Sequence, residues 1–146
     1  MKFTNVFATL ALAFSARAVV VTYDNTYDNP NGSLDSVACS NGANGLETRF
    51  GWETFNQIPH FPYIGGGAPV AGWNSTNCGT CWNLAYAGTG KSINVVLIDT
   101  AFGFNIAQEA LDDLTDGQAV AKGHFDVTAT QVSAVSCGLR GPKWWV

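Results

Sequence analysis

The chain has 146 residues, of which 47% are hydrophobic and only 12% are charged, and its formal net charge at pH 7 is -4. The acidic balance argues against nucleic acid or an anionic membrane surface as a partner. The length suits one domain without a linker. The scarcity of charge and the abundance of Gly, Asn, Ser and Thr predict a loop-rich fold whose uncharged polar surface suits neutral ligands.

Residues 1–18 have the features of a secretory signal peptide. Lys2 precedes an apolar run over 6–14, and Ala16-Arg17-Ala18 is a small-x-small cleavage site. The run is shorter than the ~20 apolar residues of a spanning helix, and no later stretch approaches that length. We therefore expect a secreted, extracellular protein without a membrane span that begins near Val19. Loss of Lys2 and Arg17 leaves five basic residues against eleven acidic ones, a formal charge of -6.

The predicted mature chain carries four cysteines: Cys39, Cys78, Cys81 and Cys137. An even number in an exported protein predicts two disulfides, with three pairings open. Cys78-Gly-Thr-Cys81 has the spacing of redox and zinc motifs, but the pattern lacks an α/β context and further zinc ligands at ordered spacing. His60 and His124 likewise show no metal-like spacing. The sequence predicts structural disulfides, no metal and no cofactor.

In chain order, Val19–Tyr23 alternates between the two faces of a predicted first strand. A turn is predicted over 28–32, where Asn, Pro and Gly cluster, and a loop over 39–45. A short helical turn is predicted over 54–58. Residues 60–67, with two prolines and three successive glycines, are predicted to be irregular.

The second half of the chain alternates more regularly. Strands are predicted over 80–86, 92–98 and 125–132, the second of them buried on both faces because it is almost wholly apolar and β-branched. Between the last two, a helix is predicted with Asn105 as N-cap, with Ile106, Ala110 and Leu114 as its apolar stripe and with its end at Asp116. Short strands, one clear helix and four cysteines indicate a closed β-barrel with helical additions.

Seven sequence blocks occur in the order typical of the cerato-platanin family, which this chain resembles from Val21 to Leu139. They are Cys39-Ser-Asn-Gly-Ala-Asn-Gly-Leu46, Phe61-Pro-Tyr-Ile-Gly-Gly66, Gly72-Trp-Asn-Ser75, Cys78-Gly-Thr-Cys81, Gly103-Phe-Asn-Ile-Ala107, Val127-Thr-Ala-Thr-Gln-Val132 and Cys137-Gly-Leu139. The resemblance implies a mainly β fold, a six-stranded double-ψ β-barrel like the first expansin domain, with short helices at its rim. It also implies the disulfides Cys39 to Cys78 and Cys81 to Cys137.

The resemblance further implies a function. Proteins of this family are secreted or wall-associated fungal proteins that bind chitin or N-acetylglucosamine oligomers, loosen cellulose without hydrolysing it and are perceived by plants as defence elicitors. It therefore predicts a non-catalytic carbohydrate-binding domain over 19–139, located outside the cell and in the fungal wall.

Two features depart from the family pattern. Residues 140–146 extend the chain beyond the usual end, and we treat this tail as disordered or as an artefact of gene prediction, without a function. Gly65-Gly-Gly67 is one glycine longer than the usual pair and is expected to lengthen a loop.

Asp99 is the sharpest candidate for function, because it follows the predicted buried strand and should emerge at the barrel rim. The resemblance implies a place in a shallow groove and a part in cellulose loosening. The alternative is that its carboxylate accepts hydrogen bonds from loop amides and fixes the turn. Asp126 would be the second carboxylate that a glycosidase needs. The period-2 pattern instead favours the outer face of its strand, and no catalytic residue is predicted.

Carbohydrate recognition needs flat apolar faces flanked by amides and hydroxyls. The expected carbohydrate-binding set is Tyr23, Asp24, Asn41, Asn44, Trp73, Asn74, Asn77, Asp99 and Thr100. Trp82 is expected in the core beside a disulfide, whereas core and groove remain equally open for Trp73. Asn31 and Asn74 lie in glycosylation sequons. A glycan on Asn74 would crowd the predicted binding loop.

Three function classes follow from these observations. The leading hypothesis is a binding module for chitin oligomers, and for cellulose as a second glycan. The alternatives are a weak glycan hydrolase that uses Asp99 and Asp126, and a surface-active wall protein that self-assembles at interfaces, as the 47% hydrophobic content allows.

Overall fold

The computed structural model describes residues 15–140. Most of the predicted signal peptide and residues 141–146 of the tail lie outside this range. Within it, six strands form one closed barrel in the order β1-β5-β2-β4-β3-β6. The strands are β1 Arg17–Tyr23, β2 Ile64–Gly67, β3 Cys81–Tyr86, β4 Lys91–Asp99, β5 Phe104–Ile106 and β6 His124–Val132. The predicted closed barrel is thereby confirmed.

Two of the neighbouring pairs, β1 with β5 and β2 with β4, are parallel, and the other four are antiparallel. Between the strands lie short helices: α1 Leu46–Phe50, α2 Gln108–Thr115 and α3 Ala119–Lys122. The 3-10 turns are Asn25–Asp28, Leu34–Ser36, Phe55–Gln57 and Ala134–Cys137. No helix among the described residues is long and apolar enough to cross a membrane.

The strands predicted from alternation are present. In β6, Phe125, Val127 and Ala129 are buried while the intervening Asp126 and Thr128 are exposed, as a period of two requires. Four consecutive residues of β4, 95–98, are fully buried. This strand therefore lies between two packed layers, as its β-branched apolar composition predicts.

The prediction of irregular backbone over 60–67 is wrong for its second half, which forms β2. This strand pairs with both β4 and β5 and is buried throughout. A Cβ atom at Gly65 would overlap the carbonyl oxygen of Asn105, and one at Gly67 would lie 2.9 Å from the Leu97 side chain. Because glycine has no side chain, neighbouring backbones and core side chains can approach this strand closely. Glycine also has a low β-propensity, so local sequence does not predict a strand here.

The predicted N-terminus of α2 is also wrong. Asn105 lies within β5, and the helix begins at Gln108. Its first amides are capped by a residue distant in sequence: the Asp28 carboxylate accepts hydrogen bonds from the backbone N–H of Gln108 (2.8 Å) and Glu109 (2.9 Å). A carboxylate at a helix N-terminus satisfies orphan donors and complements the helix dipole. The predicted end is confirmed by the left-handed conformation of Asp116.

Two disulfides join the loops to the barrel with the pairing that the resemblance implied, Cys39 to Cys78 and Cys81 to Cys137. They close segments with sequence separations of 39 and 56 residues. In the chain-entropy treatment each closure stabilises the fold by about 4 kcal/mol. The first disulfide fixes the loop over 39–45, which contributes to the candidate site.

Candidate functional site

Asp99 ends β4, and its carboxylate organises the loops that meet there. Oδ1 accepts hydrogen bonds from the backbone N–H of Ala38 (3.0 Å) and Thr100 (2.8 Å), and Oδ2 accepts one from the Tyr27 hydroxyl (3.1 Å). These contacts match the structural alternative for Asp99, a carboxylate that fixes the turn. The side chain is half-buried, so a ligand would meet a carboxylate already engaged by three donors.

Tyr27 is a member of this network that the sequence did not single out. It is only 6% exposed, and burial, followed by the charge and hydrogen bond of Asp99, raises the pKa of its phenol well above the ordinary tyrosine range. The hydroxyl therefore remains a proton donor to Asp99 in any physiological medium. A tyrosine two residues into a 3-10 turn carries no local signal for this contact, which spans 72 residues of sequence.

Tyr23 and Asp24 lie at the end of β1, close to the same network. Asp24 Oδ1 caps the following turn by accepting from the Thr26 N–H (2.8 Å), and the Asp24 N–H donates to Ile106 O (2.9 Å). Its negative charge also contributes to the raised pKa of Tyr27. Tyr23 is half-buried against the core. Tyr23 thus ends β1, and Asp24 caps the turn that carries Tyr27.

A second cluster joins the loop over 39–45 to the loop that carries Trp73. The Trp73 indole Nε1–H donates to Asn41 Oδ1 (2.7 Å). Asn44 clamps Asn74 twice: its backbone N–H donates to Asn74 Oδ1 (3.0 Å) and its Nδ2 donates to Asn74 O (3.0 Å). Four of the predicted residues therefore form one hydrogen-bonded unit, which we call the asparagine cluster: Asn41, Asn44, Trp73 and Asn74.

The asparagine cluster exposes an aromatic face. Trp73 is 63% exposed although its Nε1–H is satisfied, so the open question about this residue is resolved against the core. Asn74 adopts a left-handed conformation with φ 60°, and a Cβ at Gly42 would lie 2.7 Å from Asn74 Oδ1. The indole is consequently held by its neighbours rather than by burial, with its ring available to a ligand.

The two groups are connected through the backbone. Ala38, whose N–H binds Asp99, immediately precedes Cys39, and the Cys39 N–H donates to Ile98 O in β4 (3.0 Å). The asparagine cluster thus begins three residues after the Asp99 contact. Thr100 is exposed beside Asp99.

Asn77 is placed differently from the other predicted residues. Its Nδ2 donates to Pro69 O (2.8 Å), and it lines a cavity of about 540 Å³. The walls of this cavity are Ser15, Arg17, Val19, Ala68, Pro69, Asn77, Trp82, Gly103, Phe104, Ala129 and Gln131. The expectation that Trp82 is a core residue is only half correct, because the ring is half-buried and one part of it borders this cavity.

Phe102 was also missed by the sequence reading. It lies in the loop between β4 and β5, three residues after Asp99, and is 97% exposed. An aromatic residue inside a predicted turn that ends in glycine is a signal that could have identified it. Its ring is thus almost fully accessible to solvent.

The second carboxylate of the hydrolase hypothesis is not beside the first. Asp126 is exposed on β6, where it pairs with Val20 of β1, and β3 separates β6 from β4 in the barrel. Among the described residues no group of three or more His, Cys, Asp or Glu side chains could hold a metal ion. His60 and His124 are both exposed.

Together, the fold and the site define a disulfide-bonded six-stranded barrel whose rim carries an exposed tryptophan among asparagine amides. The cerato-platanin family matches residues 19–139, and the chain belongs to this family. It is 44% identical to an Allergen Asp f 15 homolog of Arthroderma benhamiae over 147 residues, covering 96% of this chain and 71% of the relative.

Solved structures agree. Cerato-platanin 2 from M. perniciosa is 50% identical, with a TM-score of 0.79, covering 84% of this chain and 100% of that one. The solution structure of the fungal elicitor Cerato-Platanin is 37% identical, with a TM-score of 0.73, covering 82% and 96% of the respective chains. None of these three names describes an enzyme.

Proposed function

We propose that this protein is a secreted fungal cerato-platanin that binds N-acetylglucosamine oligomers, the chemistry of chitin, without cleaving them. The observation that carries the proposal is the 63% exposed Trp73, whose indole is oriented by Asn41 within the asparagine cluster. A rigid, solvent-facing aromatic ring stacks on the apolar face of a pyranose at little entropic cost.

Polar groups without a protein partner lie in the asparagine cluster and next to Asp99. Within residues 15–140, the Nδ2 groups of Asn41 and Asn74 and the hydroxyl of Thr100 donate to no protein acceptor. They are free to bond the acetamido carbonyl and the hydroxyls of a sugar. Amide donors beside a flat aromatic face suit N-acetylglucosamine better than glucose, so chitin oligomers are the expected ligand ahead of cellulose.

The test is a calorimetric or NMR titration of the mature protein with chitin oligomers of increasing length. Trp73→Ala is expected to weaken binding about tenfold or more, equivalent to ~1.4 kcal/mol. Val120→Ala is the matched control, since Val120 is 61% exposed on α3. No binding by the unaltered protein at any oligomer length would reject the proposal, and equal losses in both variants would reject the site.

Secretion is part of the proposal. Arg17 and Ala18 are exposed at the start of β1, and Val21 is the first fully buried residue of the strand. Cleavage after Ala18 would therefore remove no core side chain. N-terminal sequencing of the protein from culture medium should begin near Val19, and a retained residue 1–18 segment would contradict the signal-peptide assignment.

Non-covalent action is favoured over hydrolysis by the position of the carboxylates. The Asp99 carboxylate already accepts hydrogen bonds from three protein donors, and Asp126 lies on β6, which β3 separates from the strand of Asp99. We expect loosening of cellulose without release of new reducing ends. Release of such ends from cellulose or chitin, lost in Asp99→Asn, would establish the hydrolase alternative.

Adsorption at interfaces is a second candidate function, supported by the 97% exposed Phe102. A single ring on a loop tip can enter an apolar surface without unfolding the barrel. Film formation in the absence of glycan, reduced by Phe102→Ser and not by Val135→Ser, would support it, because Val135 is also 75% exposed. Equal films from all three proteins would exclude a special part for Phe102.

We also propose that the protein is perceived by plants as an elicitor, a proposal supported by its family and by its similarity to the fungal elicitor Cerato-Platanin. Infiltration of leaves with the native protein and with a reduced, alkylated form tests it. A response to the native protein alone is expected if the folded surface is perceived.

A further inference from the structure

The chain contains three Asn-Gly pairs, at 31–32, 41–42 and 44–45. Asn-Gly is the dipeptide most prone to spontaneous deamidation, because glycine has no Cβ to hinder attack of its backbone nitrogen on the asparagine side chain. Whether attack occurs in a folded protein depends on whether that backbone N–H is free and whether the carboxamide can be reached. The three pairs differ in both respects.

Two of the pairs are protected by hydrogen bonds. The Gly32 N–H donates to Asn29 O (3.0 Å), and the Gly45 N–H donates to Gly42 O (3.0 Å). In both pairs the attacking nitrogen must first break a backbone hydrogen bond.

The third pair lacks this protection. The Gly42 N–H donates to no acceptor within residues 15–140, and Asn41 is exposed. Asn41 Oδ1, the oxygen of the side-chain carboxamide, accepts a hydrogen bond from the Trp73 Nε1–H at 2.7 Å. This is the atom on which negative charge develops when a nucleophile adds to Cγ, so the indole stabilises the tetrahedral intermediate as an oxyanion donor does.

We propose that Asn41 is a site of spontaneous deamidation in the folded protein. The Gly42 nitrogen loses its proton to hydroxide and forms a bond to Asn41 Cγ, while the Cγ–Nδ2 bond breaks and ammonia leaves with a proton from water. Water then opens the resulting succinimide at either carbonyl, yielding aspartate or isoaspartate. The net change consumes one water and converts an amide into a carboxylate and ammonium.

The modification would fall on the proposed binding surface, and this consequence rests on the proposed function. A carboxylate at position 41 replaces the free Nδ2 donor by an acceptor beside Trp73. Isoaspartate additionally lengthens the backbone inside a loop where Gly42 already packs closely on Asn74. Deamidation would thus weaken oligomer binding as the protein ages outside the cell.

The experiment is incubation of the mature protein at mildly alkaline pH, followed by peptide mapping that separates aspartate and isoaspartate products at each pair. Asn41 is expected to react about fivefold faster than Asn31 and Asn44, because each protected nitrogen must first lose a backbone hydrogen bond. In the reduced, denatured chain the three rates should converge. Equal rates in the folded protein, or an intact Asn41 beside a reacting Asn31, would overturn the proposal.

A binding measurement separates the modification from its consequence. Aged protein is separated by anion exchange into a fraction that carries a carboxylate at position 41 and a fraction in which Asn41 is intact, and both fractions are titrated with chitin oligomers. Loss of affinity in the deamidated fraction alone is the expected result. If fresh protein does not bind, the proposed function fails and the mapping still decides the deamidation. If aged protein carries aspartate at 41 and binds unchanged, only the functional consequence fails.

Discussion

Replacement of Asp99 tests whether its carboxylate holds the rim of the barrel together. Asp99→Ala removes the carboxylate that accepts three hydrogen bonds and leaves the Tyr27 hydroxyl, which is only 6% exposed, without a partner. An unsatisfied buried donor costs ~1–3 kcal/mol, and each half-exposed amide costs less because water replaces the lost acceptor. The expected loss of stability is about 3 kcal/mol in all.

The assay is urea or thermal unfolding of the mature protein and four variants. A 3 kcal/mol loss should lower Tm by roughly 10 °C in a domain of this size. Asp99→Asn keeps one carbonyl acceptor for the amides of Ala38 and Thr100 and should lose less. Tyr27→Phe removes only its own bond, and the double variant with Asp99→Ala should lose less than the sum of the singles, because the two side chains interact.

An Asp99→Ala protein within ~0.5 kcal/mol of the unaltered one would refute this reasoning, since surface changes without structural consequence fall in that range. The same result would favour the alternative in which the Asp99 carboxylate binds a ligand. If Asp99→Ala instead loses much stability, any reduction in its glycan binding is explained by distortion of the loops around Asp99. Asp99→Asn is therefore the better variant for binding measurements.

Three further changes test other parts of the fold. Gly65→Ala should prevent accumulation of folded protein, because its Cβ would overlap a carbonyl oxygen of β5, and soluble native-like protein would contradict the close approach. The Tyr63 hydroxyl donates a hydrogen bond to Asp113 (2.7 Å), and this bond, together with partial burial, raises the pKa of Tyr63 to about 12. The stability that the bond contributes is therefore fully present below the ordinary tyrosine pKa and is lost as pH rises through 12. Tyr63→Phe should remove the absorbance change of one phenol near that pH, and an unaltered titration would contradict the assignment. Burial and the carboxylate of Asp35 raise the pKa of Glu47. The folded state therefore favours the protonated Glu47, and the stability that this gives is present at acidic pH and is lost as pH rises through the raised pKa. Glu47→Gln should raise Tm slightly at neutral pH but not below the ordinary glutamate range, and equal shifts at both would contradict it.

The sequence by itself determined the features that local periodicity and covalent chemistry encode. Strands such as β4 and β6 were readable because alternation or continuous β-branched residues dictate which faces are buried. The four cysteines limited the disulfides to three pairings, and the resemblance selected the pair of bonds observed. The Asn-rich loop and Trp73 could be predicted as candidate binding residues because amides and an indole are the groups that carbohydrate recognition requires.

Tertiary structure decided what depends on contacts between distant segments. Glycines in β2 form a strand because two flanking strands supply its hydrogen bonds, and Asp28 caps a helix that begins 80 residues later. The meeting of Asn41 with Trp73 has the same origin, since their side chains lie 32 positions apart. Propensity and spacing describe a residue's neighbours along the chain, whereas these hydrogen bonds exist only after barrel closure brings the loops together.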